Sequence, residues 1–463
     1  FMETLIVRDK TFYKMFIGLA LPVILQSAVN MGVNIMSTLM LGSYGEVQLS
    51  ASSLANDLIS VFTYITLGVG GGAAVLTAQY WGRGDVTSLK KIVAIMLRII
   101  VCVAFVFMAA AAFFPKQIMS IYTDDKVVIN DGALFLRVSI PNFLLVGINL
   151  SLTAVLRSVR QVRLPLLTSC CAFVVYIFFG WVFIFGNLGA PEMKVAGSAL
   201  ALVIARFVET GVMVFYILKI DKKIRFRVKD IFVPVKEYVS TFIKYCLPVV
   251  GSDLFFGLGS TAIAIIIGHT STGYVAANAI LSTVVRLTLI VTNSVGNAGS
   301  VITGNTLGKG DVKRAYSGAV TFLMLSTMLG IISSLLVLII APIVVAGCNI
   351  TEETAAIAKS LTYAVGLMTV FVAMDNSLTK GILRGGGDTR FLLVMDTVFL
   401  WGISIPLGAL TALVWKAPPF WIYLSLRSDW VIKVVLCTIR LISRKWIHVL
   451  ESPKNAQLEN SAT

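Results

Sequence analysis

Long apolar runs separated by short polar segments make up most of the chain. Twelve of these runs approach or exceed the ~20 residues that a helix needs to cross the hydrocarbon core of a bilayer. They lie at roughly 15–41, 51–78, 92–114, 128–155, 164–186, 195–218, 240–267, 275–304, 316–340, 354–383, 391–414 and 419–442. The segments between them contain Gly, Pro or charged residues, which are typical of loops. The pattern predicts an all-α membrane protein with about twelve transmembrane helices.

The composition supports a membrane protein over a soluble one. Hydrophobic residues make up 57% of the 463 residues, charged residues 13%, and the mean hydropathy is +0.90. Soluble domains have about 25% charged residues. The net charge of +15 would suit nucleic-acid binding, but the basic residues form short clusters between apolar runs. That distribution is typical of membrane loops, so we expect the lipid bilayer and not a nucleic acid as partner.

The basic clusters also predict an orientation. The two termini and the even-numbered loops hold 27 Lys and Arg residues, whereas the odd-numbered loops hold four. Loops rich in Lys and Arg stay on the cytoplasmic side. We therefore expect a multi-pass protein of the cell membrane with both termini in the cytoplasm. Residues 451–463 are predicted to form a polar cytoplasmic tail.

Several short motifs recur at one spacing. The recurring pairs are Leu21–Val23 with Leu247–Val249, Gly82–Asp85 with Gly308–Asp311, and Leu156–Arg163 with Leu383–Arg390. The first two pairs are 226 positions apart and the third pair 227. Chance recurrence of generic turn motifs would not keep one order and spacings that differ by a single position. The sequence therefore predicts an internal repeat.

The repeat divides the chain at its longest basic connection, 219–239. We predict an amino-terminal lobe of six helices at 1–225 and a carboxyl-terminal lobe of six helices at 226–450. An even number of helices gives both lobes the same orientation. This is the parallel-repeat plan of transporters, in which a central cavity lies between the lobes.

The loop motifs resemble those of the multidrug and toxic compound extrusion (MATE) family over about residues 10–450. The stretches that carry the resemblance are Gln79–Asp85, Gly304–Asp311, Leu383–Arg390 and Trp401–Gly408. The resemblance implies an antiporter, coupled to Na⁺ or H⁺, that exports organic and often cationic compounds from the cytoplasm. Such a protein needs no cofactor beyond its coupling ion, and we expect it to act as a monomer.

Polar residues inside the amino-terminal apolar runs are candidates for a substrate cavity, because polar groups in a membrane interior are costly. Gln26, Asn30, Asn34 and Ser37 share one face of the first helix. The alternative is that they hydrogen-bond neighbouring helices. The family resemblance implies an aspartate where this chain has Ser37, so the acid that the resemblance implies for cation coupling in this lobe is absent at that position. Asp57 is a further cavity candidate, or else a hydrated acid near a helix start.

The carboxyl-terminal lobe contains the candidates for cation coupling. Asp253 lies where the resemblance implies a glutamate, and a carboxylate in a low dielectric can bind a proton or Na⁺. Arg286 could neutralise Asp253 or approach anionic substrate groups, and a structural Asp253–Arg286 pair is the alternative. Asp375 lies in the middle of the tenth run. Further cavity candidates are Asn278, Asn376 and its repeat counterpart Asn149.

Other classes of protein fit the sequence less well. No nucleophile motif, phosphate-binding loop or metal-ligand cluster is present, which argues against an enzyme and against a metal site. Arg206 and Glu209 are three positions apart and predict a structural ion pair. A lipid-linked-sugar flippase of the same wider superfamily is the remaining alternative. Flippases of that kind commonly have more spans and strongly cationic cavities, and the intramembrane arginines here are few.

Overall fold

The computed structural model describes residues 6–347 and 350–450, apart from the side chain of Glu46. The predicted polar tail, 451–463, lies outside this part. Within the described ranges the chain is helical and contains no strand. The all-α fold class is confirmed.

Sixteen α-helices follow one another in the described part of the chain. Those before the long basic connection are α1 (Lys10–Gly42), α2 (Glu46–Arg83), α3 (Val86–Phe113), α4 (Pro115–Ser120), α5 (Lys126–Val138), α6 (Ile140–Ser158), α7 (Arg163–Phe185) and α8 (Lys194–Phe215). Those after it are α9 (Lys236–Gly268), α10 (Thr272–Gly308), α11 (Val312–Ala346), α12 (Glu352–Asn376), α13 (Thr389–Phe399), α14 (Ile405–Ala409), α15 (Pro419–Leu426) and α16 (Ser428–Ile442). A π-helical segment, Ser377–Leu383, continues α12.

Eleven helices in the described ranges are long and apolar enough to cross a membrane. Two of the predicted apolar runs form two helices each instead of one. The run 128–155 is divided into α5 and α6 at Ser139, because Pro141 lacks an amide hydrogen and restricts the residue before it. The run 419–442 is divided into α15 and α16 at Arg427, whose backbone is non-helical, and neither piece reaches 18 residues.

Large apolar side chains cover much of the helix surface. Val106, Phe113 and Ile339 are each more than 60% exposed, and many Leu, Ile and Phe residues resemble them. A soluble monomer rarely exposes continuous apolar surface on this scale. The distribution fits helices whose outer faces contact lipid.

The described residues form two compact units. The carboxyl-terminal unit comprises 6–21, 78–84, 251–347 and 350–450, and the amino-terminal unit comprises 22–77 and 85–250. These units reflect packing, whereas the lobe boundary near 225 reflects the sequence repeat and stays a prediction.

The two Gly-x-Gly-Asp motifs have the same local structure. Gly84 and Gly310 both have φ of +80°, in the left-handed region where glycine has no steric penalty. The aspartate after each glycine caps the next helix: Asp85 accepts a hydrogen bond from the Ser88 amide and Asp311 from the Arg314 amide, both at 3.0 Å. The repeated motif therefore encodes a repeated turn between two helices.

The ends of α2 and α10 approach each other through paired glycines in the carboxyl-terminal unit. A Cβ at Gly82 would overlap the carbonyl oxygen of Asn305, and a Cβ at Gly308 would overlap that of Gln79. Both relations connect positions that the repeat makes equivalent, since Gly82 and Gly308, like Gln79 and Asn305, are 226 positions apart. The crossing is thus symmetric and requires glycine on both sides.

Candidate functional site

A buried lysine at the centre of the carboxyl-terminal unit contacts three carboxylates. Lys433 on α16 is 2% exposed, and its Nζ lies 3.2 Å from Asp429 Oδ2 one helical turn earlier. The same Nζ lies 3.2 Å from Asp396 Oδ1 on α13 and 3.5 Å from Asp375 Oδ2 on α12. A buried ammonium is tolerated only with such partners. The predicted coupling residue Asp375 therefore belongs to a charged cluster on three helices.

Asp253 is paired with Arg384 in the structure. Its Oδ1 accepts a hydrogen bond from Arg384 Nη2 at 2.8 Å, and its Oδ2 lies 3.5 Å from Nη1. Arg286, the partner considered from the sequence, is exposed on α10. That pairing was wrong because Arg384, taken for a loop residue, turns back toward α9 from the end of the π-helical segment.

Hydrogen bonds connect these charges to neighbouring helices. The hydroxyl of Ser252 donates to Asp396 Oδ2, and that of Ser404 donates to Asp429 Oδ1 at 3.2 Å. Lys380, in the π-helical segment, donates to Asn293 Oδ1 at 3.2 Å. We call the residues Asp253, Asp375, Lys380, Arg384, Asp396, Asp429 and Lys433 the C-network. It contains four carboxylates and three cations.

The amino-terminal unit contains a related chain of contacts. Arg157 donates to Gln26 Oε1 at 2.6 Å, and Gln26 donates to Ser169 at 3.2 Å. Ser169 donates to Glu209 at 2.8 Å, and Arg206 donates to Glu209 at 2.6 Å. The predicted Arg206–Glu209 ion pair is confirmed. We call these five residues the N-network.

The two networks occupy equivalent positions of the repeat. Each of four N-network residues lies 227 positions before a member of the C-network; the pairs are Arg157 with Arg384, Gln26 with Asp253, Ser169 with Asp396, and Arg206 with Lys433. Both arginine contacts span 131 positions. The scaffold is therefore duplicated, but two neutral residues of one unit correspond to two carboxylates in the other.

The remaining predicted cavity residues are differently placed. In the first helix, Asn34 is exposed, Asn30 is half-buried, and Ser37 is half-buried beside the Tyr176 hydroxyl. Asp57 is exposed near the start of α2, and Asn278 is half-buried on α10. The stripe therefore does not share one environment, since its first member, the buried Gln26, belongs to the N-network.

Asn149 and Asn376, the predicted repeat counterparts, are both buried in their own units. Asn376 Nδ2 donates to Thr292 Oγ1 at 3.2 Å. Asn149 Nδ2 has no hydrogen-bond partner among the described residues. Their burial favours a role inside each unit over direct contact with a substrate.

Sequence reasoning missed several members of the two networks. Lys380 and Arg384 were counted only among the basic residues of the even-numbered loops. Lys433 and Asp429 were not singled out within the twelfth run, and Glu209 was treated as a structural acid. Lys433 and Asp429 could have been found, because charged residues four apart in an apolar run mark a functional or paired site. In the described ranges no group of three or more His, Cys, Asp or Glu side chains is arranged to hold a metal ion.

Comparison with known proteins identifies the family. The sequence model of the MatE family matches residues 22–182 and 248–410, and the two matches begin 226 positions apart. Probable multidrug resistance protein NorM of Thermotoga maritima is 23% identical over 441 residues, which cover 94% of this chain and 93% of that protein. Uncharacterized transporter YisQ of Bacillus subtilis is 20% identical over 441 residues, covering 95% and 96%.

Solved structures share the fold. A transporter of the MOP superfamily from Pyrococcus furiosus has a TM-score of 0.84 at 14% identity, covering 93% of this chain and 95% of that one. The eukaryotic MATE transporter AtDTX14 has a TM-score of 0.80 at 17% identity, covering 94% and 96%. The repeated loops, the duplicated networks and the two family matches agree, and the chain belongs to the MatE family of membrane transporters.

Proposed function

We propose that this protein is a cation-coupled antiporter that exports organic, often cationic, compounds from the cytoplasm by alternating access. Family membership and the relatives named as probable multidrug resistance proteins support export of organic compounds. The observation that carries the coupling is the charge of the C-network, in which four carboxylates face three cations. One carboxylate remains to be neutralised by an external cation, either Na⁺ or H⁺.

Asp375 is the carboxylate that best fits this role. It is 5% exposed, its Oδ2 contacts Lys433 at the longest of the three distances, and its Oδ1 has no hydrogen-bond partner among the described residues. A buried anionic oxygen without a donor is costly. Binding a proton or a cation there removes that cost. Asp253, held by Arg384, contributes to the same charge balance.

The N-network has the opposite balance. Its two arginines, Arg157 and Arg206, face one carboxylate, Glu209, and its contact between α1 and α7 is made by the neutral Gln26 and Ser169. Amide and hydroxyl groups donate and accept hydrogen bonds without titrating near neutral pH. We infer that the carboxyl-terminal unit carries the coupling carboxylate and that the amino-terminal unit does not.

We assign the substrate contacts to polar residues whose side chains are exposed or half-buried. Asn34 and Asp57 are exposed, and Asn30, Ser37 and Asn278 are half-buried. A carboxylate and several neutral polar groups suit an organic cation. We further propose that a single chain acts as the transport unit in the cell membrane, with both termini cytoplasmic. The flippase alternative is not favoured, because the family match and the relatives' names indicate MATE transporters.

Vesicles with imposed gradients test the function. Purified protein is reconstituted into liposomes, and movement of the cationic dye ethidium is followed with a Na⁺ gradient or a pH gradient imposed separately. We expect one gradient to drive ethidium against its own concentration gradient. Asp375→Asn and Asp253→Asn should each reduce the driven component at least about tenfold, since each removes a charge of the coupling network.

The control variant is Asp124→Asn, which removes an equivalent charge from an exposed loop position. It should transport like the wild type. Ethidium transport at the same rate with and without the Na⁺ and pH gradients would reject cation coupling. Undiminished driven transport in both Asp375→Asn and Asp253→Asn would reject the assignment to the carboxyl-terminal unit.

A further inference from the structure

The position of Lys433 has a consequence for the choice of coupling ion. We propose that Lys433 determines ion specificity: its ammonium group occupies the space between Asp375, Asp396 and Asp429 that a Na⁺ ion would require, so the C-network exchanges protons and not Na⁺. The inference rests on the proposed cation coupling and specifies its ion. Lys433 is 2% exposed, and it acts in this proposal through the neighbouring carboxylates.

Three helices bring oxygen atoms to one buried point. Asp375, Asp396 and Asp429 come from α12, α13 and α16, and their oxygens lie 3.2 to 3.5 Å from Lys433 Nζ. Carboxylate oxygens are the ligands that hard cations prefer. With Lys433 Nζ between them, these three described carboxylates do not themselves form a group that could hold a metal ion. An ammonium is a compact single charge. That of Lys433 donates a hydrogen bond to Asp396 Oδ1 and lies within ion-pair distance of Asp375 Oδ2 and Asp429 Oδ2. The lysine therefore fills the place of a bound monovalent cation.

The surrounding positive charges and hydrogen bonds disfavour binding of a Na⁺ ion beside the ammonium, but they leave one carboxylate oxygen that can bind a proton. Lys380 and Arg384 add two further positive charges to the same network, and Arg384 is occupied by Asp253. Asp396 and Asp429 also accept hydrogen bonds, from Ser252 and Ser404. The Oδ1 of Asp375 has no hydrogen-bond donor among the described residues. Asp429 Oδ2 also has none there, but it lies 3.2 Å from Lys433 Nζ. A proton binds one oxygen and needs no coordination shell, so it can bind there while the ammonium stays in place.

Direct Na⁺ binding tests this inference without transport. The full-length chain is purified in detergent, and its thermal unfolding midpoint is measured while NaCl replaces choline chloride at constant ionic strength. The wild type should show no saturable Na⁺-specific shift. Lys433→Gln, which leaves the carboxylates but removes the ammonium, should gain a saturable rise of about 2 °C or more. Lys433→Arg keeps the charge and should remain insensitive to Na⁺.

The matched control is Lys380→Gln. It removes one positive charge from the same network, but Lys380 contacts Asn293 and does not lie between the three carboxylates. It should not gain the shift. An equal gain in Lys380→Gln, or a folded Lys433→Gln without Na⁺ sensitivity, would overturn the assignment.

The wild-type titration keeps the inference testable if Lys433→Gln does not fold. A saturable Na⁺-specific shift in the wild type would show that Na⁺ binds although the ammonium is present, and would refute the proposal; an insensitive wild type supports it. Because this assay measures ion binding alone, it is independent of the vesicle experiment. Gradient-independent ethidium movement together with Na⁺ binding in Lys433→Gln would reject the proposed function but keep the role of Lys433.

Discussion

Single residues decide what the duplicated scaffold does in each unit. Arg157 and Arg384 hold the same place in the repeat, yet one donates to the neutral Gln26 and the other pairs with Asp253. A buried charge is stable only when it is paired and hydrogen-bonded. Introducing Asp253 therefore requires a compensating set of charges around it, and the carboxyl-terminal unit provides that set in the C-network.

The buried acid of the N-network is Glu209 and not a residue at position 37. The family resemblance implies an acid at the position of Ser37, but the structure has its buried acid on α8, where Glu209 is 1% exposed and bound by Ser169 and Arg206. Both oxygens of Glu209 thus have donors, unlike Asp375 Oδ1. This difference is a second reason, beside the charge balance of the two networks, to assign the coupling carboxylate to the other unit.

Arg160 provides a prediction at the scale of one residue. It has φ of +61°, and its repeat counterpart Gly387 has φ of +88°. The left-handed conformation costs a non-glycine residue about 1 kcal/mol. Burial also lowers the pKa of the Arg160 guanidinium below its ordinary value, and its Nε has no hydrogen-bond partner in the described ranges. Arg160→Gly should therefore stabilise the protein by about 1 kcal/mol.

The measurement for Arg160→Gly is the thermal unfolding midpoint in detergent. The control is Arg163→Gly, which removes the same side chain from the first residue of α7, where the backbone is helical. That variant should be neutral or destabilised, since glycine is a poor helix former. A lower midpoint for Arg160→Gly than for the wild type would show that the arginine side chain outweighs its backbone strain.

At the scale of helices, close approach of backbones decides where glycine is required. The ends of α2 and α10 meet at Gly82 and Gly308, where carbonyl oxygens leave no room for a Cβ. Backbone cannot move aside as a flexible side chain does. Small residues at such crossings let membrane helices pack closely.

Gly308→Ala should destabilise the protein by about 2 kcal/mol, because the added methyl group overlaps the carbonyl oxygen of Gln79. Gly82→Ala should have a similar effect through the equivalent contact. Gly211→Ala is the matched control: this helical glycine has open space at its Cβ, and alanine there should be neutral or slightly stabilising. The thermal unfolding midpoints of the three variants test this prediction. An unchanged midpoint for Gly308→Ala would contradict the crossing geometry.

The segment after α16 packs tightly in the carboxyl-terminal unit. Trp446 is fully buried against Gly386, and the His448 amide donates to the Gly386 carbonyl at 2.9 Å. Gln79 Nε2 donates to the His448 carbonyl at 3.0 Å, and Gln79 Oε1 accepts from the Leu450 amide at 3.0 Å. The Gln79 side chain and the Gly386 backbone, both from repeated loop motifs, thus hold the chain up to residue 450.

At the scale of the whole molecule, the excess of basic residues in the even-numbered loops predicts the orientation. The structure removes Lys380 and Arg384 from that count, since both belong to the C-network. The ratio remains strongly unequal without them. Cytoplasmic termini therefore remain the prediction.

Cysteine labelling tests this orientation. The six native cysteines are replaced by alanine, and single cysteines are introduced at Lys223 and at Asp124, both of which are exposed. An impermeant maleimide added to intact cells should label Asp124→Cys at once, but Lys223→Cys only after the membrane is permeabilised. Labelling of Lys223→Cys in intact cells would place the 219–239 connection outside and invert the topology.

The sequence by itself determined the helical membrane fold and the repeat, and its repeated Gly-x-Gly-Asp motif encodes the same turn twice. These features depend on properties that act locally: the length of an apolar run, the freedom of glycine at Gly84 and Gly310, and the capping by Asp85 and Asp311. It also located Asp253 and Asp375 as unusual charges in apolar runs.

Only the tertiary structure decided which charges are partners. Asp253 and Arg384 are 131 positions apart, and Lys433 joins carboxylates from three helices. Which side chains meet depends on how each helix is rotated and where it breaks, as at Arg427 before α16. Apolar runs that can face lipid on one side and protein on the other do not specify that rotation. The packing of neighbouring helices specifies it, and so decides that Arg384 and not Arg286 neutralises Asp253.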